Sequence, residues 1–112
     1  MSDAMDMSAY NELKNIMGEI LDDLIQTFLD TVPEQIGLLQ AAIEAGDCDQ
    51  VFAVAHRIKS SSSSIGAAGL ANSAEQIELK GRGGDISGTD ELFPQLSARY
   101  DEVASFLRSE LG

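Results

Sequence analysis

Val51-Phe52-Ala53-Val54-Ala55-His56-Arg57-Ile58-Lys59-Ser60-Ser61-Ser62-Ser63-Ser64-Ile65-Gly66 decides how the rest of the chain is arranged, and it holds the one histidine among 112 residues. Wound at about 100° per residue, Val51, Val54, Ala55, Ile58, Ser62 and Ile65 fall within roughly 50° of one meridian. That is the buried stripe of a helix. His56 lies about 150° away and faces solvent. Lys59 and Ser60, at i+3 and i+4, are its neighbours on that outer surface, and Phe52, at i−4, sits on the flank. The run Ser60 to Ser64 also has the composition of a low-complexity linker. A linker, however, gives no reason for Ile58 and Ile65 to keep one phase on either side of it. Five Ser in place of Ala cost on the order of 2 kcal/mol in helix propensity, so packing must hold the run helical.

Outward from this stretch the chain reads as helices. Upstream, Leu21, Leu24, Ile25, Phe28, Val32, Ile36, Leu39 and Ile43 form one stripe roughly 120° wide. The stripe keeps its phase across Pro33, which favours one kinked helix over about 19–45. The alternative is a break, with Pro33 opening a new helix. Gly46 fits the left-handed position that ends this helix, and Asp47 fits the N-cap of the next, about 48–65. Residues 1–7 have no period and read as a flexible tail, so that 8–112 form the single domain. Ser8 is placed as the cap of a short first helix, with Leu13, Ile16 and Met17 as its apolar contacts.

Downstream, Ala67, Leu70, Ala74, Ile77 and Gly81 mark the inner face of a helix over about 67–81. Four glycines in the eight residues from Gly81 to Gly88 make a loop. The last helix spans about 90–110, with Pro94 in its first turns and Leu96, Tyr100, Val103, Phe106 and Leu107 on its stripe. No strand pattern or internal repeat is present. The fold class expected is all-α: an up-down four-helix bundle with a short extra N-terminal helix.

Composition narrows the function. Net charge is −12, so a nucleic-acid backbone or an anionic membrane surface would be repelled. Yet Arg57, Lys59, Lys80 and Arg82 fall between residues 56 and 82, where Glu75 and Glu78 are the only acids. The histidine region is thus a less acidic window. One cysteine, Cys48, permits no internal disulfide and fits a reducing, cytoplasmic setting. No apolar run is long enough to span a membrane. A monomer is expected, because an acidic, solvated surface offers no dimer seam.

The chemistry open to one exposed histidine is limited. No carboxylate lies at i±3 or i±4 from His56 to orient it as a general base. No nucleophile-elbow or Walker-type motif is present. One histidine and one cysteine are too few for structural zinc. Accepting a phosphoryl group asks for less: a nitrogen lone pair exposed to a partner, and a cation such as Lys59 one turn on.

The string Ala-His-Arg-Ile-Lys-Ser-Ser-Ser-Ser-Ser-Ile-Gly-Ala at 55–67 resembles the signature of histidine-containing phosphotransfer (HPt) domains, roughly Ala-His-x-Leu-Lys-Gly-Ser-(small)-x-Leu-Gly-Ala. His56, Lys59, Ser61, Ile65, Gly66 and Ala67 fall in register with it. Leu70, Ala74, Ile77, Glu78, Gly81 and Arg82 follow the family's downstream tendency. Ser60 stands where the family usually has Gly, a residue thought to keep the histidine accessible. The resemblance implies a helical bundle that relays a phosphoryl group and is not an autonomous enzyme. It implies His56 as phosphoacceptor and Lys59 as stabiliser of the phosphoryl oxygens. Ser60, Ser63 and Ser64 would line a partner's approach, beside Arg57. Phe52 is either an apolar docking contact or a residue packed under the first helix. The partners implied are a response-regulator receiver domain, which brings its own aspartate and Mg²⁺, and a sensor kinase; no cofactor of its own is implied. The other reading is an acidic helical adaptor that docks a partner without transfer.

Overall fold

The apolar stripes assemble in the computed structural model, which describes residues 4–111, as five helices: α1 (Met7–Met17), α2 (Ile20–Ala45), α3 (Cys48–Ser64), α4 (Ala68–Arg82) and α5 (Thr89–Glu110). Helix α3 packs on α4 and α2, and α5 closes the ring by packing on α4 and α2. The fold is the four-helix bundle expected from the periodicity, with α1 packed on α2. The predicted stripes of α2 to α5 point inward. Ile25, Val32 and Leu39 of α2 meet Val51, Val54 and Ile58 of α3, Leu70, Ala74 and Ile77 of α4, and Leu96, Val103 and Leu107 of α5, all almost fully buried. Among the described residues no helix is long and apolar enough to cross a membrane.

Pro33 lies inside α2, which is one helix. Its ring sits on the exposed face, where water can serve the Leu29 carbonyl that loses its amide partner. The serine run is helical up to Ser64. Two of its hydroxyls find acceptors inside the helix, so the buried Ser62 is not left unpaired. Ser62 Oγ donates to the Ile58 carbonyl at 2.6 Å, and Ser64 Oγ to the Ser60 carbonyl at 2.9 Å.

Glycines make the tight corners. Gly46 (φ 67°) ends α2, and the Asp47 carboxylate then accepts from the Gln50 amide at 3.2 Å to open α3. After α3, Gly66 (φ 81°) lets its own amide donate to the Ser63 carbonyl at 3.2 Å, while the Ala67 amide donates to Ser62 at 2.8 Å. A Cβ on Gly66 would also sit 3.1 Å from the Tyr10 backbone nitrogen. Gly66→Ala should therefore cost about 1–2 kcal/mol from the left-handed backbone alone, read as a lower urea midpoint. An unchanged midpoint would show that the corner relaxes freely.

The N-terminal segment departs from expectation. Asp6 rather than Ser8 caps α1, its carboxylate accepting from the Ala9 amide at 3.1 Å. Residues 4–7 are not a loose tail. Ala4 and Met5 are buried. The Asp6 amide donates to Gly66 at 2.7 Å and the Gly69 amide donates to Ala4 at 2.9 Å. These are pairings between backbones far apart in sequence, to which side-chain periodicity is blind. Residues 1–3 of the expected tail lie outside the described residues. Ile16, expected as an α1 contact, is 78% exposed. The buried anchor of α1 is Tyr10, whose ring meets Phe106 edge-on at 5.1 Å and whose hydroxyl donates to Glu110 at 3.0 Å. Burial, then that hydrogen bond, push the Tyr10 phenol up to about 12.

Candidate functional site

The site is built on the face of α3 opposite its core stripe, so the packing that buries Val51, Val54, Ala55 and Ile58 also fixes what faces out. The His56 side chain is 54% exposed. Arg57, Ser60, Ser63 and Ser64 are exposed along the same helix, and Lys59 is partly covered. The predicted constellation of His56, Lys59, Ser60, Ser63 and Ser64 is therefore displayed on one helix, from His56 to the end of α3.

Glu78 completes it, and the local spacing around His56 does not reveal it. This residue comes from α4 and is 1% exposed. Its Oε2 lies 2.8 Å from His56 Nδ1, and its Oε1 lies 2.7 Å from Lys59 Nζ. The Lys59 contact is poorly aligned as a hydrogen bond, but the charge attraction does not depend on that alignment. Burial would raise the Glu78 carboxyl. The Lys59 ammonium and the His56 ring outweigh it and hold the group below its ordinary range. An ionised carboxylate can only accept, so the proton of His56 resides on Nδ1. The lone pair is then on Nε2, across the ring, where no hydrogen bond to protein is made among the described residues.

A sequence signal for Glu78 did exist. It lies four residues after Ala74 and three before Gly81, beside the inward stripe of α4. A carboxylate there must be buried, and a buried charge needs a partner. The candidates in the facing helix are His56 and Lys59.

Phe52 does not pack under the first helix. Its ring lies against His56, with centroids 6.2 Å apart and planes 21° from parallel, and the Arg82 guanidinium is 5.7 Å from its centroid. It lines a shallow open cavity of the α3–α4 seam with Asp49, Gly81 and Arg82. Helix α1 is instead at the other end of α3, where Ala9, Leu13 and Ile16 form a groove with Ser63, Ser64 and Gly66. Among the described residues no group of three or more His, Cys, Asp or Glu is placed to hold a metal ion.

The arrangement can therefore present an oriented imidazole nitrogen, with a cation beside it, to an incoming electrophile. Comparison with known proteins agrees with this chemistry. Residues 23–106, which contain α3, α4 and Glu78, match the family model of the Hpt domain. The crystal structure of histidine-containing phosphotransfer protein B (HptB) from Pseudomonas aeruginosa PAO1 superposes with a TM-score of 0.93 at 26% identity, over 99% of this chain and 96% of that one. None of the curated proteins gives a significant sequence match. With a family model covering three-quarters of its length and the solved HptB fold reproduced almost end to end, the chain belongs to the Hpt domain family of histidine phosphotransfer proteins.

Proposed function

We propose that His56 is the phosphoacceptor of a phosphorelay, taking a phosphoryl group on Nε2 from an aspartyl phosphate or a sensor kinase and passing it to the aspartate of a response-regulator receiver domain. The observation that carries this reading is the half-exposed imidazole whose inner nitrogen is held by the buried carboxylate of Glu78. As the Nε2 lone pair bonds to phosphorus, the bond from phosphorus to the donor oxygen breaks. The ring gains positive charge, which the Glu78 carboxylate faces at 2.8 Å. In the reverse direction the nitrogen–phosphorus bond breaks as the acceptor carboxylate attacks. Positioning and charge neutralisation dominate such transfers, so little else is needed from this chain. The Mg²⁺ that shields the phosphoryl oxygens is supplied by the receiver domain.

Lys59 is the cation of the site. Its ammonium now pairs with Glu78, one helical turn beyond His56, and on phosphorylation it serves the new oxygens as well. Lys59→Ala should slow transfer or shorten the lifetime of the phosphoprotein several-fold. Unchanged rate and lifetime would remove Lys59 from the mechanism.

Phe52, Arg57, Ser60, Ser63 and Ser64 form the docking surface. Ser60 is exposed and small, so the ring stays open although Gly is usual there. Exposed Ile16 extends this surface at its far end.

The test is to mix the protein with a phosphorylated receiver domain and Mg²⁺ and record intact mass. The expected result is a gain of one phosphoryl group that is acid-labile and base-stable. No gain across several receivers and kinases would leave an adaptor that docks without transfer.

A further inference from the structure

Gly81 does not need its glycine for backbone conformation. It lies within α4 and has no positive φ. What it provides is space. A Cβ on Gly81 would fall 2.6 Å from the Phe52 backbone nitrogen, 2.9 Å from the Cys48 carbonyl oxygen and 3.0 Å from the Phe52 Cα. All three obstacles are backbone atoms of α3, which no rotamer change can clear. At this point the two helices approach more closely than any side chain allows.

The point of closest approach is in register with the site. Phe52 lies one turn before His56, and Gly81 lies one turn after Glu78. The helices run antiparallel, so the backbone contact of residues 52 and 81 is directly followed by the side-chain contact of 56 and 78, at 2.8 Å. A glutamate has a limited reach. From the position of its backbone on α4, it meets His56 Nδ1 with one oxygen and Lys59 with the other. The depth at which α4 seats on α3 sets both distances together.

We propose that Gly81 is a positioning residue for phosphotransfer: by letting α4 touch the α3 backbone at Phe52, it seats Glu78 against His56 Nδ1 and so directs the reactive lone pair to Nε2. The consequence for transfer rests on His56 being the phosphoacceptor. The consequence for the imidazole ring does not, and it is measurable in the unphosphorylated protein.

Gly81→Ala is the direct test. Propensity alone favours Ala inside a helix, so a lower melting temperature identifies the clash. Nitrogen-15 NMR of the imidazole, taken where the ring is neutral, should show one tautomer with the proton on Nδ1 in the wild type. In Gly81→Ala the two tautomers should mix. Phosphoryl acceptance should fall on the order of 10- to 100-fold, as for a displacement near 1 Å at a reacting group. In a Glu78→Gln background the same substitution should change the rate much less, because the contact it disturbs is already altered. A merely structural role would lower both backgrounds equally.

A folded Gly81→Ala protein with the wild-type tautomer and rate would overturn the proposal. Should that variant not fold, Phe52→Ala decides. It keeps the backbone contact and removes the ring, so the Nδ1–H tautomer should persist. Loss of that tautomer would place the positioning in the Phe52 ring and refute the role of Gly81. Should the tautomer respond as expected while no variant accepts phosphate, the acceptor reading fails and the positioning stands.

Discussion

Replacing His56 with glutamine will abolish phosphoryl acceptance and leave the fold in place. The side chain is half exposed and lies on the face of α3 opposite Val54, Ala55 and Ile58, so no core volume is lost. The glutamine amide can still donate a hydrogen bond toward Glu78, which keeps the buried carboxylate from being left unpaired. The expected stability change is within about 1 kcal/mol, a few degrees in melting temperature. The expected chemical change is complete, because an amide nitrogen has no lone pair available for attack on phosphorus. Intact mass after incubation with a phosphorylated receiver and Mg²⁺ reads the first effect, and thermal melting the second. A phosphoryl group retained by His56→Gln would move the acceptor elsewhere.

The second large effect is expected at Glu78. Glu78→Gln keeps the shape of the side chain but removes the charge that faces both His56 Nδ1 and Lys59 Nζ. The amide can present either its oxygen or its nitrogen to the ring, so the tautomer is no longer enforced. Transfer should slow on the order of 10- to 100-fold. Stability should fall by only about 1–2 kcal/mol, since Lys59 and His56 are both open enough to regain water.

The same residue gives a pH signature. Lys59 and His56 overcome the burial penalty and hold the Glu78 carboxyl below its ordinary range. A group whose folded value lies below its unfolded one stabilises the fold above the unfolded value, about 4.3. That contribution is lost as pH falls through the folded value. Glu78→Gln should therefore flatten part of the acid limb of the stability profile. Equal acid limbs in the two proteins would mean that the Glu78 charge contributes nothing to folding.

How much of this was legible in the sequence follows from what periodicity measures. Phase alone places positions 51, 54, 55, 58, 62 and 65 inward, and all six are buried. Continuity of the α2 stripe across Pro33 correctly favoured one helix, because a shared burial direction is a property of the whole element. Gly46 and Asp47 were readable as a corner because their roles are local. What periodicity cannot report is which residue the neighbouring helix brings. Glu78 is 22 positions from His56, yet the two touch. The tie of Asp6 to Gly66 is likewise a backbone contact between distant segments. Ile16 shows the converse limit: its spacing fits a packed stripe, but α1 is anchored through Tyr10 instead, and Ile16 is left in solvent.

The most direct measurement is the identity of the phosphorylated nitrogen. Phosphorus-31 and nitrogen-15 NMR of the protein after transfer from a phosphorylated receiver would resolve it. With Nδ1 committed to Glu78, phosphorus should couple to Nε2 of His56 alone. Coupling to Nδ1, or a phosphoryl group on any other side chain, would contradict the account.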